Sequence, residues 1–216
     1  KDRADFGEIA KLAVQQRGRA LWYVPFDRDD YGEIAKLAVR QDPSALERVP
    51  NRRADFGEIA VIAVQQHDPE GRALKYVPHS LDYDYDEIAK LAVQHNGCAY
   101  QYVSKMHYSY RDLAEIAVRQ DPRALYYVPK WRADYGYLAF LAVQQRGMSI
   151  NYVPKDRDDY GKLAMIAVMQ DGLALKRIPK DRDDYGKLAR LAVQQNSDAL
   201  VYVPWDRADY AEIANL

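Results

Sequence analysis

Apolar residues recur along the chain with the spacing of one face of an α-helix. In the first such segment they are Phe6, Ile9, Ala10, Ala13 and Val14, at i, i+3, i+4, i+7 and i+8. Two of the four positions between them carry charged side chains, Glu8 and Lys11. The segment therefore predicts an amphipathic helix that packs its apolar side against the rest of the protein.

This segment returns at regular intervals along the whole chain. When each copy is numbered from its last core valine as position 0, the step is 25 residues except for one step of 29. We interpret residues 1–216 as a single array of eight repeats and a truncated ninth, with an irregular junction near residues 67–84. The anchor valines are Val14, Val39, Val64, Val93, Val118, Val143, Val168 and Val193.

Each repeat contains signals for two helices. An aspartate at position −9, replaced once by Ser109, is expected to cap the long helix, and "RG", "DP", "NG" or "DG" ends it. A segment such as "RALYYVP" follows, in which Asp-Pro can open a short helix and the later proline prevents its continuation. Such helix pairs bury their apolar faces only by stacking, so the fold class is all-α, an α-solenoid of helix-turn-helix repeats.

Two further columns of the repeat describe how the helices pack. Alanine occupies positions −4 and −1 of every complete repeat, which predicts close contact between neighbouring helices. Position −2 is always Leu or Ile, which widens the apolar face. We therefore expect the long helix to be covered on two sides.

Composition and charge narrow the classes of function. The formal net charge is −1, so the chain lacks the basic excess of a general nucleic-acid or anionic-lipid binder. No apolar run reaches the length of a membrane span. A single cysteine, Cys98, excludes an internal disulfide framework and is compatible with a reducing compartment. We expect an intracellular protein, and a piece of something longer, because no signal-like segment is seen and the chain stops inside a repeat.

The recurrent "DRxD" motif brings carboxylates and guanidinium groups together. It could bind phosphates or carry out paired-acid chemistry, but a feature of nearly every repeat is better explained as helix caps and ion pairs between repeats. The motif begins with Asp2-Arg3, Asp27-Arg28, Asp156-Arg157, Asp181-Arg182 and Asp206-Arg207.

A glutamine column at +2 could read RNA bases, one for each repeat. A code of that kind needs variation, and the column hardly varies, so hydrogen bonds to the backbone of the following turn explain it better. The column consists of Gln16, Gln41, Gln66, His95, Gln120, Gln145, Gln170 and Gln195.

Two aromatic columns could stack nucleobases, but regular aromatic spacing in helical repeats more often forms core, with the hydroxyl groups reaching an edge. The long-helix column is Phe6, Tyr31, Phe56, Tyr85, Tyr110, Tyr135, Tyr160, Tyr185 and Tyr210. The short-helix column is Tyr23, Tyr76, Tyr102, Tyr127, Tyr152 and Tyr202.

No catalytic residue, metal site or cofactor site is predicted. His67, His79, His95 and His107 lie in different repeats without an i, i+4 partner or a cysteine companion. The sequence has neither a nucleophile motif nor a glycine-rich phosphate loop. We therefore expect a protein that is not an enzyme.

The stretch "HNGCAYQYVSKMHYSYRDLAEIAVRQDPRALYYVP" resembles the repeats of the domain of unknown function 4116 family, whose unit reads "AV-x-QNG-x-AL-x-YAS" before an acidic-capped helix. One family unit corresponds to about two repeats here, and the resemblance extends over essentially the whole chain. Proline replaces the family's serine everywhere except at Ser104. The resemblance implies a helical repeat module attached to larger, effector-like bacterial proteins, and no known activity. A secreted bacterial effector is thus the alternative to an intracellular protein.

Partner information in a solenoid should lie where the repeats differ on their exposed face. Position −6 is acidic in the first five repeats, and it then becomes Tyr137, Lys162 and Lys187. Tyr137 and Phe140 share a face at i, i+3, and Met165 and Met169 share one at i, i+4 on the next long helix. These four residues predict an apolar partner-binding patch between acidic and basic arms.

The function that we expect is a scaffold that binds a protein or peptide partner. One alternative is a structural protein whose solenoids associate end to end into filaments, because polar capping repeats are absent from both termini. A reader of RNA or single-stranded nucleic acid is a third, weaker possibility.

Overall fold

The computed structural model of the chain describes residues 5–79, 84–105 and 110–216. Within these ranges nine α-helices alternate with eight 3₁₀ helices, and no strand is present. The α-helices are α1 (Phe6–Gln16), α2 (Tyr31–Gln41), α3 (Phe56–Val64), α4 (Tyr85–His95), α5 (Tyr110–Gln120), α6 (Tyr135–Gln145), α7 (Tyr160–Gln170), α8 (Tyr185–Gln195) and α9 (Tyr210–Ala214). The 3₁₀ helices are η1 (Gly18–Tyr23), η2 (Pro43–Arg48), η3 (Arg72–Tyr76), η4 (Gly97–Tyr102), η5 (Pro122–Tyr127), η6 (Gly147–Tyr152), η7 (Gly172–Arg177) and η8 (Ser197–Tyr202).

The helices pack in two compact units, Lys1–Gln120 and Asp121–Leu216. Within each unit, consecutive long helices lie side by side and consecutive short helices form a second layer. Long helices contact the short helix of their own repeat and that of the preceding one. This stacking of helix pairs is the α-solenoid arrangement that the periodicity predicts. A single array over the whole chain stays a prediction.

The core face of the long helix is the one that the apolar spacing predicts. In α7, Tyr160, Leu163, Ala164, Ala167 and Val168 are all at most 4% exposed. Their counterparts in α2 to α6 are buried in the same way. The alanine columns therefore form part of the contact between neighbouring helices, where a larger side chain would force them apart.

Long helices lie between two neighbouring long helices, as we expected, but the Leu or Ile at position −2 is buried only at Leu141. Leu37, Ile116 and Ile166 are only half-buried, and Leu12 of α1 is 60% exposed. The reason is that the short helices cover one side of the long-helix layer and the described residues supply no second layer on the other. The −2 row therefore borders the outer surface of the long helices.

The aspartate at −9 does not cap the long helix in most repeats, so this prediction is wrong. Asp30 and Asp159 have φ near −90° and ψ near 0°, and their side chains accept no hydrogen bond from the first turn. Each carboxylate is instead held by the arginine two residues earlier. Asp84 does cap, because its Oδ1 accepts from the N–H of Glu87 at 3.1 Å. The predicted cap Ser109 lies outside the described residues.

The short helix is a 3₁₀ helix of five or six residues, opened by a side-chain cap in several repeats. Asp42 and Asp121 precede a proline and accept hydrogen bonds from the N–H groups of Ser44 and Arg123, at 2.9 and 2.8 Å. The prediction that Asp-Pro opens a short helix is thus confirmed. Buried residues, Ala and Leu in most repeats, anchor the short helices against the long ones. At these positions η4 has Ala99 and Tyr100, and η6 has Ser149 and Ile150.

The irregular junction begins with an early end of α3 at Val64. The buried Ala73 lies nine positions after Val64, whereas its counterpart Ala45 lies six positions after Val39. The extra residues form a turn in which the N–H of Gly71 donates to the carbonyl of Asp68 at 3.0 Å. Gly71 has a φ of 64°, a left-handed conformation that favours glycine. Residues 80–83 of the same junction lie outside the described residues.

The two aromatic columns differ in burial, although we expected both to form core. The long-helix rings are buried from Tyr31 to Tyr185, and the hydroxyl of Tyr185 donates to the carbonyl of Tyr202 at 3.0 Å. Burial raises the pKa of Tyr135 to about 12, so this hydroxyl stays protonated and donates to the carbonyl of Tyr152. The short-helix tyrosines are half-exposed, and Tyr23 is 85% exposed. They face outward because the buried positions of the short helix are taken by its Ala and Leu.

Two buried tyrosines provide a matched test of these hydroxyl contacts. Tyr185→Phe should lower the free energy of unfolding by about 1 kcal/mol, because a buried carbonyl loses its donor. Tyr160→Phe should leave it unchanged or raise it, because the Tyr160 hydroxyl is buried without a partner among the described residues. Denaturant unfolding followed by circular dichroism measures both. Equal losses would show that the hydrogen bond to Tyr202 is not what stabilises Tyr185.

Candidate partner-binding surface

The four residues predicted to bind a partner lie on two packed helices of the same unit. Helix α6 carries Tyr137 and Phe140, and α7 carries Met165 and Met169. Tyr137 is 47% exposed, Phe140 38% and Met169 61%, while Met165 is half-buried. Their positions lie opposite the core face of each helix, so burial of the repeat does not require them to be apolar. We call these four residues the α6–α7 patch.

The structure adds one apolar residue at the edge of this patch that the sequence analysis did not assign to it. Ile166 follows Met165 and is half-buried, since the −2 row borders the outer surface. The sequence signal was present in the invariant Leu or Ile at −2. The sequence analysis attributed this row to the widened apolar face of a helix that is covered on two sides, and only the packing shows how far each residue of the row is covered.

Other repeats use the same outer positions for ion pairs. The ammonium of Lys36, at −3, lies 2.9 Å from a carboxylate oxygen of Glu58, at −6 of the next repeat. Arg190 and Glu212 form the same pair at 2.8 Å. Position −3 of one repeat therefore faces position −6 of the next, and the two side chains neutralise each other.

The α6–α7 patch interrupts this pattern of ion pairs. By the same register Phe140 faces Lys162, and Met165 faces Lys187. Both lysines are exposed, and among the described residues neither has a carboxylate oxygen within 4.0 Å. Lys162 helps to lower the pKa of Asp159, but both oxygens of that carboxylate already accept from Arg157. The surface thus combines apolar side chains with cations that have no direct acidic partner.

The arginines of the "DRxD" motif form pairs within their own loop, and an ion pair between repeats, as we expected, is formed by Asp209 of the motif with Arg190 at 3.7 Å. Arg182 donates through Nε and Nη2 to the two carboxylate oxygens of Asp184, at 2.7 and 2.8 Å. We call this pair an Arg–Asp fork. The first aspartate of the motif, as in Asp181, is exposed. Equivalent forks are Arg28–Asp30, Arg53–Asp55, Arg132–Asp134, Arg157–Asp159 and Arg207–Asp209. Asp2 and Arg3 lie outside the described residues.

Within each unit, forks join a repeat to the preceding one through the aromatic residue and the glycine of that preceding repeat. The Arg182 guanidinium carbon lies 5.0 Å from the ring centre of Tyr160, within the range of a cation–π contact. A Cβ on Gly161 would lie 3.1 Å from both Nη2 of Arg182 and Oδ2 of Asp184. The guanidinium and carboxylate are therefore engaged in packing, which leaves little reason to assign them phosphate binding or acid catalysis.

The glutamine column holds the turn of the preceding repeat, and not the following turn as we expected. Oε1 of Gln170 accepts from the N–H of Gly147 at 2.6 Å, and its Nε2 donates to the carbonyl of Gln145 at 3.3 Å. Where that glycine is replaced by Pro43, which has no N–H, Gln66 instead donates to the carbonyl of Ile62 in its own helix at 2.9 Å. The column is thus a contact between repeats.

The described residues contain no group of three or more His, Cys, Asp or Glu side chains placed to hold a metal ion. His79 packs against Tyr85 with ring centres 3.9 Å apart, and His107 lies outside the described residues. None of the helices in the described parts of the chain is long and apolar enough to cross a membrane.

The stacked helix pairs define a helical-repeat protein of the α-solenoid class. Residues 57–108 and 85–132 match the model of the family described as Domain of unknown function (DUF4116). The resemblance inferred from the sequence is confirmed for this part of the chain, and each match spans about two repeats. No curated protein and no solved structure matches the chain.

The Arg–Asp forks should make stability depend on acid pH. The hydrogen bond from Arg182 lowers the pKa of Asp184 from 3.8, so the unfolded carboxyl binds its proton at a higher pH than the folded one. The contribution of the fork to the unfolding free energy is complete above about pH 5, and it is lost as the pH falls through the pKa of the folded state. Asp184→Asn should lower the unfolding free energy at pH 7 by about 0.5–1 kcal/mol, since the pair is partly exposed.

The measurement is denaturant unfolding at pH 7, 5, 4 and 3, with the exposed neighbour Asp183→Asn as control. The difference in unfolding free energy between the native chain and Asp184→Asn should become smaller below pH 4, because protonation removes the same charge from the native chain. A gap that stays constant over this range would contradict a charged fork.

Proposed function

We propose that this protein is a non-enzymatic scaffold that binds a protein or peptide partner through the α6–α7 patch. The observation that carries the proposal is the exposure of Tyr137, Phe140 and Met169 beside half-buried Met165 on adjacent helices. Most other repeats place charged or amide side chains at these positions. A contiguous group of aromatic residues and methionines is typical of interfaces.

The other recurrent residues of the repeat support this proposal, because their contacts within the stack explain them without a role in binding. The forks, the glutamines and the long-helix aromatic rings each have a packing or hydrogen-bonding partner within or between repeats. Residues with such roles cannot vary without cost to stacking. The outer positions −6, −3 and +1 can vary, so they are where a partner can be selected.

A role in reading nucleic acid has less support. The long-helix rings are buried and cannot stack on bases, and the glutamine amides are used by the backbone of neighbouring repeats. The half-exposed short-helix tyrosines remain, but the net charge of −1 offers no general attraction for phosphates.

Selection from a displayed random peptide library tests the patch without knowledge of the natural partner. We expect the full chain to enrich peptides that lose at least tenfold in affinity for a variant with Tyr137→Glu, Phe140→Lys, Met165→Lys and Met169→Gln. Each new residue occurs at the same position in another repeat, so the variant should fold. The loss follows from removal of the apolar contacts at the centre of the interface.

The control variant carries Tyr126→Gln and Val201→Asn, which replace exposed apolar residues of the short helices by residues found at the same position elsewhere. It should bind the selected peptides as the native chain does. If the folded four-residue variant binds them equally well, the α6–α7 patch is not the binding site.

End-to-end self-association is a second candidate, and in this chain it can be tested through two apolar residues of α1. Ile9 is 49% exposed, whereas its counterpart Ile34 is fully buried, and Leu12 is 60% exposed. Static light scattering over a range of concentrations distinguishes the two roles. A chain that binds partners through the patch alone stays monomeric, whereas stacking through α1 makes the mass rise with concentration, and Ile9→Glu should reverse that rise.

A further inference from the structure

We infer that the segment bound beside Met165 of the α6–α7 patch is an acidic amphipathic helix whose carboxylates pair with Lys162 and Lys187. This inference rests on the proposed function, because it names the partner of the same surface. It is carried by the interruption of the ion-pair pattern at the patch and by the spacing of the two lysines.

The charge of the surface indicates the charge of the partner. In the first unit, acidic residues at −6 pair with lysines at −3, as in Glu8–Lys11 and Glu33–Lys36. On α6, α7 and α8 the same two positions carry no acidic residue at all. Arg190 is satisfied by Glu212, so the cations available to a partner are Lys162 and Lys187. An apolar partner with carboxylates would supply the missing half of each ion pair.

The register of the repeat sets the spacing of these carboxylates. Lys162 and Lys187 occupy the same position on α7 and α8, which are packed neighbours, so they are separated by about one interhelical distance of 8–10 Å. Met165 lies between them by the register that pairs −3 with −6. In an α-helix, residues i and i+7 are separated by about 10.5 Å along the axis. A helix lying across α7 and α8 can therefore place two carboxylates on the lysines and apolar residues at i+3 and i+4 on Met165.

The secondary structure of the unit favours a helical partner over a strand. An extended peptide gains affinity by adding its backbone to a sheet edge, and the described residues contain no strand. A helix satisfies its own backbone hydrogen bonds and presents only side chains to the surface. A helical partner therefore suits the outer face of the long-helix layer, which offers side chains for contact.

Two synthetic helical peptides test the inference on the full chain. Both carry Leu at i+3 and Phe at i+4, and they differ only in Glu or Lys at i and i+7. Fluorescence anisotropy should show at least tenfold tighter binding of the Glu peptide at low salt, with the preference reduced as salt screens the charges. Lys162→Glu with Lys187→Glu should invert the preference.

The chain provides a control of equal charge. Lys155 and Lys180 are exposed residues of the same two repeats, seven residues before Lys162 and Lys187. Lys155→Glu with Lys180→Glu changes the net charge by the same amount away from the outer helix face. It should retain the preference for the Glu peptide.

The outcomes separate this inference from the proposed function. If the native chain binds the two peptides equally or binds neither, or if the control pair has the same effect as Lys162→Glu with Lys187→Glu, the acidic partner is overturned. If binding resists the lysine changes but is lost in the four-residue patch variant, the patch binds peptides and the charge inference fails. If Lys162→Glu with Lys187→Glu and the four-residue patch variant both bind the two peptides as the native chain does, the proposed function fails as well.

Discussion

The stacking of this protein depends on an arginine that serves two repeats at once. In five Arg–Asp forks the guanidinium pairs with a carboxylate in its own loop and lies over the aromatic ring of the preceding long helix. The arginines of these forks are Arg28, Arg53, Arg157, Arg182 and Arg207. The charge is thus neutralised where it becomes partly buried, so the cost of desolvation is offset and a cation–π contact is gained. Because the same contact recurs along each unit, small contributions accumulate into the stability of the stack.

The fork also explains why certain positions of the repeat are small. A Cβ on Gly7 would lie 2.5 Å from Oδ2 of Asp30, and one on Gly186 would lie 2.6 Å from Oδ2 of Asp209. The glycine in the first turn of the long helix therefore makes room for the carboxylate of the next repeat. In the fourth repeat the glycine is replaced by Asp86, and the fifth repeat has His107 and Ser109 in place of the fork residues. The two features do not always occur together, because Gly57 precedes a repeat with Asp82 at the arginine position and Arg111 precedes the repeat with the Arg132–Asp134 fork.

A partner can be bound only by positions of the repeat that are not used for such contacts. The core, forks, glutamines and glycines use most positions of the 25-residue repeat, and the outer positions −6, −3 and +1 are left to solvent or to a partner. Ion pairs such as Lys36–Glu58 occupy them in the first unit and keep that surface polar. In α6 and α7 the ion pairs give way to apolar residues beside lysines. Other repeats stack with polar residues at these positions, so stacking does not require the change, and we propose that it serves recognition.

The sequence by itself determined the repeat, the long helix and its core face, because a helix with Tyr160, Leu163, Ala164, Ala167 and Val168 on one side can bury them in only one orientation. It also placed Tyr137 and Phe140 on the outer face, since that follows from helical geometry alone. The tertiary structure decided which neighbour each polar side chain meets. Asp159 is a good cap by local rules, but an arginine two residues away competes for it, and Gln170 reaches back to Gly147 of the preceding repeat. The first choice depends on Arg157, which is held over the ring of Tyr135 in the preceding repeat, and the second joins residues 23 positions apart. Both contacts are fixed only when the helices pack.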